Sequence, residues 1–272
     1  TTEIYTLSLH DALPIYTYGK LLEVGPGMGM LTKYLLAYAD EHQPEVWVSE
    51  ADRDMVTYVR EHFPQLAGHI IEGDFLQADL RPYFGQEEQF GLIGNFPYNI
   101  SSQILFRMLD FKRQIPEMVG MFQLEVAERI AAAPNSKTYG VISVLLQAFY
   151  TAKVLFQVKP SAFNPPPKVQ SAVIRLERKP SLELGCDEKL FRSIVKNTFL
   201  QRRKMLRNTL SAYLPKEVLS ADETFTLRPE NLSVADFVAL TRRVQEYRAT
   251  LPTNAAAPDE DEVSLNNWED EN

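Results

Sequence analysis

Leu21-Leu22-Glu23-Val24-Gly25-Pro26-Gly27-Met28-Gly29 sets a short apolar run directly against three glycines at alternate positions, and the amphipathic stretch Leu31–Ala39 follows at once. A run of this kind reads as a buried strand. The glycines after it let the backbone turn sharply and meet a ligand with no Cβ in the way. The same alternation recurs downstream. Val46–Glu50 reads as a second strand with the helix Asp54–His62 after it, and His69–Asp74, Phe90–Asn95 and Met118–Gln123 read as three more strands. Helices over Val126–Ala133 and Val141–Tyr150 come next. Two β-rich runs, Lys153–Val158 and Gln170–Arg178, then close the sheet as an antiparallel pair. Strand-helix alternation implies an α/β fold with a mostly parallel sheet, its last strand antiparallel, and helices on both faces. Past a polar linker, Lys179–Glu188, only helical patterns remain: Lys189–Phe199, Arg203–Ala212, a Pro-flanked stretch near Glu217, and Val234–Ala249, which Ser233 is placed to cap. The expected organisation is a sheet domain over residues 20–180 and a small C-terminal helical domain over 181–250. A non-native-looking segment, 1–19, precedes them, and an acidic disordered tail, 251–272, follows.

Composition narrows the class. The chain has 272 residues, 45% of them hydrophobic, enough for one large core and a smaller satellite. The apolar runs are short and interrupted by charges, which argues against a membrane span. The single cysteine, Cys186, rules out an internal disulfide and any cysteine-rich metal cluster, so no metal is expected. The expectation is a cytoplasmic, monomeric protein. A net charge of −8 looks unfavourable for a nucleic-acid partner, but the charges are segregated. Asp259, Glu260, Asp261, Glu262, Glu269, Asp270 and Glu271 crowd a tail without Lys or Arg, whereas Arg192–Arg207 carries Arg192, Lys196, Arg202, Arg203, Lys204 and Arg207 and no acid. Local basic patches, rather than totals, attract phosphate. The tail reads as a solubilising appendage; a self-masking role over the basic patch would be refuted by an RNA affinity that survives its deletion.

In an open parallel sheet, ligands bind at the carboxyl ends of the strands. The Gly-x-Gly-x-Gly spacing here differs from the dinucleotide fingerprint, whose third glycine stands one residue later. Alone it suits NAD, flavin or S-adenosylmethionine, or a tight turn that holds nothing. Glu50, closing the second strand, is placed to accept hydrogen bonds from both ribose hydroxyls, although a solvated residue at a helix entry would look the same. After the third strand, Asp74 is a candidate acceptor for an adenine amino group, with Phe75 packing on the ring; the alternative for Asp74 is a helix N-cap. At this point NAD and S-adenosylmethionine both remain open.

Asn95-Phe96-Pro97-Tyr98, following the fourth strand, favours methyl transfer. The lone pair of an adenine N6 is delocalised into the ring, which makes the amine a poor nucleophile. The Asn95 side-chain oxygen and the Phe96 backbone carbonyl offer two acceptors for its two hydrogens and would favour a pyramidal nitrogen. Pro97 stiffens the loop, and Tyr98 offers a flat face to an extruded base. Orientation then carries the acceleration, and no strong base is needed. Further on, Ser161-Ala162-Phe163-Asn164-Pro165-Pro166-Pro167-Lys168 forms a stiff loop that would hold Phe163 as the second wall of a base sandwich, unless Phe163 is an ordinary core aromatic.

Taken together, Glu23–Gly29, Glu50, Gly73–Phe75, GNFPYNIS (94–101), PNSKTYG (134–140), SAFNPPPKVQSAV (161–173), NTFLQRRKMLR (197–207) and ENLSVA (230–235) resemble the KsgA family of ribosomal RNA adenine dimethyltransferases over roughly residues 20–250. The resemblance implies a class I methyltransferase, Rossmann-like sheet. It implies S-adenosylmethionine bound by Glu23, Gly25, Gly27, Glu50, Asp74, Phe75 and Asn95. It also implies dimethylation of two adjacent adenosines near the 3′ end of small-subunit (16S) rRNA, within an immature 30S particle. Family members open with a stretch like K-x-x-G-Q-x-F-L, which is missing here. Thr6–Ile15 instead resembles a translated sequencing adapter. The expectation is therefore a chain truncated at its N-terminus, with a persistent fold, a cofactor site lacking its lid, and weakened activity. Cofactor affinity equal to that of a full-length relative, measured by calorimetry, would contradict this.

Arg202, Arg203, Lys204 and Arg207 fall on neighbouring turns and are the candidate phosphate contacts. On this view, substituting Arg202 and Arg203 flattens the salt dependence of RNA binding. Competing functions are a ribosome-assembly checkpoint factor with weak or absent catalysis and an erythromycin-resistance-type large-subunit rRNA methyltransferase. DNA adenine methylation, which SAFNPPPKV and QRRK argue against, and a dinucleotide oxidoreductase are more distant.

Overall fold

Leu21, Leu22 and Val24 are buried on both faces of the first strand, the mark of a strand in the middle of a sheet covered by helices on either side. A computed structural model describes Tyr18–Leu251 except Asn164, so the expectations for the N-terminal segment and the acidic tail fall outside the described residues. The elements up to Arg178 are β1 (Lys20–Val24), α1 (Thr32–His42), β2 (Glu45–Glu50), α2 (Arg53–His62), β3 (Ile70–Glu72), α3 (Arg81–Phe84), β4 (Gly91–Asn95), α4 (Ser101–Asp110), β5 (Glu117–Gln123), α5 (Leu124–Ile130), α6 (Val141–Phe149), β6 (Tyr150–Val158) and β7 (Ser171–Arg178). The strands form a seven-stranded sheet in the order β3-β2-β1-β4-β5-β7-β6. β1 through β5 pair in parallel, and β7 runs antiparallel to both β5 and β6. The expected sheet is therefore present.

Differences from the sequence reading have local causes. Helix α4 went unpredicted, although Ile104, Leu105, Met108 and Leu109 repeat at helical spacing and are buried. Strand β6 begins at Tyr150 rather than Lys153, because no turn residue separates it from α6. In the register of β5 and β7, Glu117 faces Glu177 while Val119 faces Arg175. The Arg175 guanidinium reaches diagonally to the Glu117 carboxylate at 3.1 Å, and Glu117 is fully buried. A one-residue slip of this pairing would strand both charges in the core.

Contacts divide the chain into two units, the first running to Glu128 and resuming over Tyr150–Lys179, the second taking Arg129–Phe149 and resuming at Pro180. Beside the break between Lys179 and Pro180, the division groups Arg129–Phe149, and with it α6, in the helical unit. That unit also holds α7 (Glu188–Leu200), α8 (Leu206–Thr209), α9 (Lys216–Ala221) and α10 (Val234–Ala249). Ser233 caps α10 as expected, accepting from the Asp236 amide at 3.2 Å in a reciprocal capping box. The helix expected over Arg203–Ala212 shrinks to the single turn α8. Its first amide, Leu206 N–H, donates across to the Leu227 carbonyl at 2.8 Å, and Gln201–Lys204 form a turn. Among the described residues, no helix is long and apolar enough to cross a membrane.

Candidate active site and basic surface

β1 and β4 are neighbours from which the strand order runs outward in both directions, so the loops after them flank the crevice in which open α/β sheets take ligands. The glycine loop and the Asn95–Tyr98 tetrad are those two loops. Glu50 and Asp74 follow β2 and β3, which continue the parallel row. Motifs scattered over seventy-odd residues thus meet along one edge of the sheet.

Gly25, Gly27 and Gly29 have φ of 71°, 52° and 74°, a left-handed region that other residues enter only with strain. A Cβ placed on Gly25 or Gly27 would meet nothing within 4 Å, so open space stands above the turn. Gly29 differs: a Cβ there would lie 2.1 Å from the Phe63 ring, and its job is packing. Gly25 N–H donates to the Ser49 carbonyl at 2.9 Å, tying the loop to the end of β2. The Glu50 carboxylate accepts from Gly27 N–H and from Asp52 N–H, each at 3.0 Å. It is almost buried and fixed in direction, and each oxygen keeps a lone pair for a further donor. A nucleoside with a vicinal diol fits this arrangement.

Glu23 is placed differently from Glu50. Its side chain is buried beneath the turn and accepts from the Thr32 hydroxyl at 2.7 Å, linking the end of β1 to the start of α1. Burial pushes its carboxyl up to about 8, against the Thr32 hydrogen bond and with the charge of Glu50 acting in the same direction as burial. The folded protein therefore holds a proton on Glu23 that the unfolded chain releases near its ordinary value of 4.5. Stability falls as pH rises across that interval and levels off above about 8. Glu23→Gln retains an acceptor for Thr32 and removes the titration. Between pH 5 and pH 8.5 the variant is expected to gain about 3 kcal/mol relative to the parent. Denaturant melts of the two proteins over that range check it, and a constant difference would return Glu23 to an ordinary acidity.

Asp74 is exposed and accepts from Leu76 N–H at 2.9 Å within a turn that no helix directly follows, with its second oxygen 3.4 Å from Gln77 Nε2. Phe75 is only 3% exposed, so its ring belongs to the core more than to an open face.

The tetrad alternates outward and inward. Asn95 and Pro97 are exposed, Tyr98 is half-buried, and the Phe96 ring is buried. That ring lies in a slot made by two glycines paired across β4 and β5, Gly94 and Gly120. A Cβ on Gly94 would come within 2.6 Å of the ring and one on Gly120 within 2.2 Å. The loop is pinned from below while Asn95 stays at the rim. Tyr98 Oη shares a 2.5 Å hydrogen bond with Ser171 Oγ at the start of β7, and the Tyr98 carbonyl accepts from Ser101 Oγ at 3.1 Å. Phe163 is half-buried against an apolar cluster that includes Val158 and Ala162. The two aromatics expected to sandwich a base are thus fastened at opposite ends of one proline-rich segment, Phe163 near its start and Tyr98 to Ser171 at its end. The sequence reading missed Thr32, Gly94, Gly120 and Ser171 as supports. Only the glycines carried a signal, as strand-interior glycines that mark a close approach.

In the helical unit, Arg203, Lys204 and Arg207 are exposed. Arg202 is half-buried, its Nη2 donating to the Ser136 carbonyl at 3.1 Å and its Nε 3.7 Å from the Glu230 carboxylate. The four cations grouped together in the sequence therefore have different surroundings.

The family model for ribosomal RNA adenine dimethylase matches residues 10–247. The chain is 56% identical over 226 residues to the ribosomal RNA small subunit methyltransferase A of Phocaeicola vulgatus, covering 83% of this chain and 79% of that protein. It is 54% identical over 241 residues to the protein of the same name from Bacteroides thetaiotaomicron, covering 88% of each. Among solved structures, a dimethyladenosine transferase from Plasmodium falciparum superposes with a TM-score of 0.72 at 22% identity, covering 89% of this chain and 95% of that one. The 23S rRNA methyltransferase ErmE does so at 0.61 and 24% identity, covering 88% and 97%; these two likenesses bear on fold alone. With strand order, strand-end motifs and sequence identity pointing the same way, the chain belongs to the ribosomal RNA adenine dimethylase family.

Proposed function

We propose that this chain transfers methyl groups from S-adenosylmethionine to N6 of two adjacent adenosines near the 3′ end of small-subunit rRNA, acting as a cytoplasmic monomer on an immature 30S particle and using no metal. The observation that carries the reading is the tetrad: an exposed Asn95 side chain next to a backbone locked by the buried Phe96 ring. When bound, S-adenosylmethionine supplies an electrophilic methyl. The chain's own residues do the positioning. Glu50 accepts from the ribose hydroxyls, held in direction by Gly27 and Asp52. Gly25 and Gly27 leave room for the cofactor against the backbone. The Asn95 oxygen and the Phe96 carbonyl accept the two N6 hydrogens, and Tyr98 and Phe163 supply apolar surface for an unstacked base. Arg203, Lys204 and Arg207 hold the RNA backbone.

The test offers the protein labelled S-adenosylmethionine and small-subunit particles lacking the modification, with labelled nucleosides mapped by mass spectrometry. The expected product is dimethyladenosine at adjacent positions near the rRNA 3′ end. Label confined to large-subunit RNA in a parallel assay would replace this reading with an erythromycin-resistance-type activity. Tight particle binding without transfer would favour an assembly factor.

A further inference from the structure

Arg202 sits where three separate segments of the helical unit are gathered. Asn135 has a φ of 70° and turns the segment from Pro134 to Gly140 back on itself. Asn135 N–H donates to the Glu230 carbonyl at 2.8 Å, and its side-chain oxygen accepts from Asn231 Nδ2, also at 2.8 Å. Arg202 then bonds the Ser136 carbonyl and pairs with the Glu230 carboxylate. On its far side the segment is anchored by Tyr139, whose fully buried ring meets Phe199 of α7 edge-on at 6.1 Å. Two contacts occupy the guanidinium and one of them is acidic, so Arg202 offers little net charge to an outside anion. The cation next to the clamped carbonyl is Lys137, exposed and, among the described residues, in no ion pair; Arg203, on the other side of the same bond, shares both properties.

We propose that Lys137 and the exposed trio Arg203, Lys204 and Arg207 form one surface for an RNA phosphate backbone, and that Arg202 and Glu230 are positioning residues that hold the Lys137 segment in it. This rests on the RNA reading above and extends it to a segment that reading did not use. The Arg202–Ser136 hydrogen bond and the Tyr139–Phe199 ring contact join the two cationic stretches, and the hydrogen bond is the one beside Lys137, so the register of Lys137 against Arg203 depends on the Arg202 node. Phosphates along a strand are regularly spaced, and fixed cations meet them without paying the ordering entropy of loose ones.

The test measures the affinity of the full chain for a stem-loop RNA with adjacent unpaired adenosines across a range of salt concentrations. Lys137→Gln is expected to weaken binding and to lower the log–log salt slope by about 0.7–0.9, the contribution of one phosphate contact. Glu230→Ala removes a negative charge yet is expected to weaken binding several-fold and to lower the slope similarly. Adding Lys137→Gln to it should then change little, because the two substitutions remove the same contact. If Arg202 touches phosphate directly, Glu230→Ala frees it and tightens binding, which would overturn the proposal; an unchanged slope in Lys137→Gln would do the same. Should Glu230→Ala fail to fold, Arg202→Lys decides. It keeps the charge but not the two-point geometry, so it should bind like Lys137→Gln on this proposal and like the parent on direct contact. Absence of salt-dependent binding by the parent would instead remove the RNA reading itself.

Discussion

Asn95→Ala is expected to lower the single-turnover rate of methyl transfer by roughly 10²–10³-fold while leaving the fold and the affinity for small-subunit particles close to those of the parent. Asn95 is the last residue of β4, paired with Met121 of β5, so its backbone is set by the sheet. Its side chain is exposed, and truncating it leaves no cavity; the stability change should stay within about 0.5 kcal/mol. What disappears, on the proposed reading, is one of two acceptors for the adenine amine. The Phe96 carbonyl alone fixes one N–H bond and leaves the nitrogen free to rotate back into conjugation. A loss of this kind acts on the transition state more than on RNA binding, so it should appear in the rate at saturating particle concentration. Asn95→Asp, which keeps an acceptor oxygen, should fall between. A loss under tenfold for the alanine variant would show that orientation of the amine is set elsewhere.

Gly120→Ala is expected to reduce transfer by about 10²-fold although the residue lies in the middle of β5, below the tetrad. The added methyl would sit 2.2 Å from Phe96 Cε2 and 3.1 Å from Phe122 Cε2, and the ring cannot back away, since Gly94 on the paired strand admits it with no room to spare. Overpacking of this kind costs about 1–3 kcal/mol of stability. Relief comes by lifting the ring, and lifting the ring moves the carbonyl and the Asn95 amide attached to it. Phe96→Leu in the same chain returns the missing space, so the double variant should recover most of the rate and most of the melting temperature. Such coupling between contacting residues separates displacement from simple destabilisation. Wild-type transfer by a Gly120→Ala protein that melts earlier would show the ring moving independently of the loop.

The contrast between these two residues marks what the sequence made legible. Asn95 could be singled out because its chemistry is local: an amide, a proline and a tyrosine after an apolar strand. The parallel core was found for a similar reason, since strands buried on both faces leave runs such as Leu21–Val24. Gly120 was not found, because its purpose is the volume of a residue 24 positions away across a strand pairing. Arg202 was grouped with its neighbours because three adjacent cations look alike until one of them is seen against Ser136 and Glu230. Glu23 and Phe75 were assigned to a ligand by their place in a motif, and burial, which the motif does not show, leaves each of them almost without exposed surface. Contact partners distant in sequence account for each of these differences.

The discontinuous sheet unit also bears on how the protein is made. β5 leaves the ribosome complete on one edge only; its other partner, β7, begins at Ser171, and the chain in between includes the excursion through Arg129–Phe149. At 5–20 residues per second, roughly fifty residues of further synthesis leave that apolar edge unpaired for about 3–10 s. During that interval Met118, Val119, Met121 and Phe122, all buried in the finished protein, stand as a template for a neighbouring nascent chain. A fragment ending near Glu128 would make this exposure permanent, so separately expressed halves should aggregate, and a nascent-chain chaperone would find its binding site on β5.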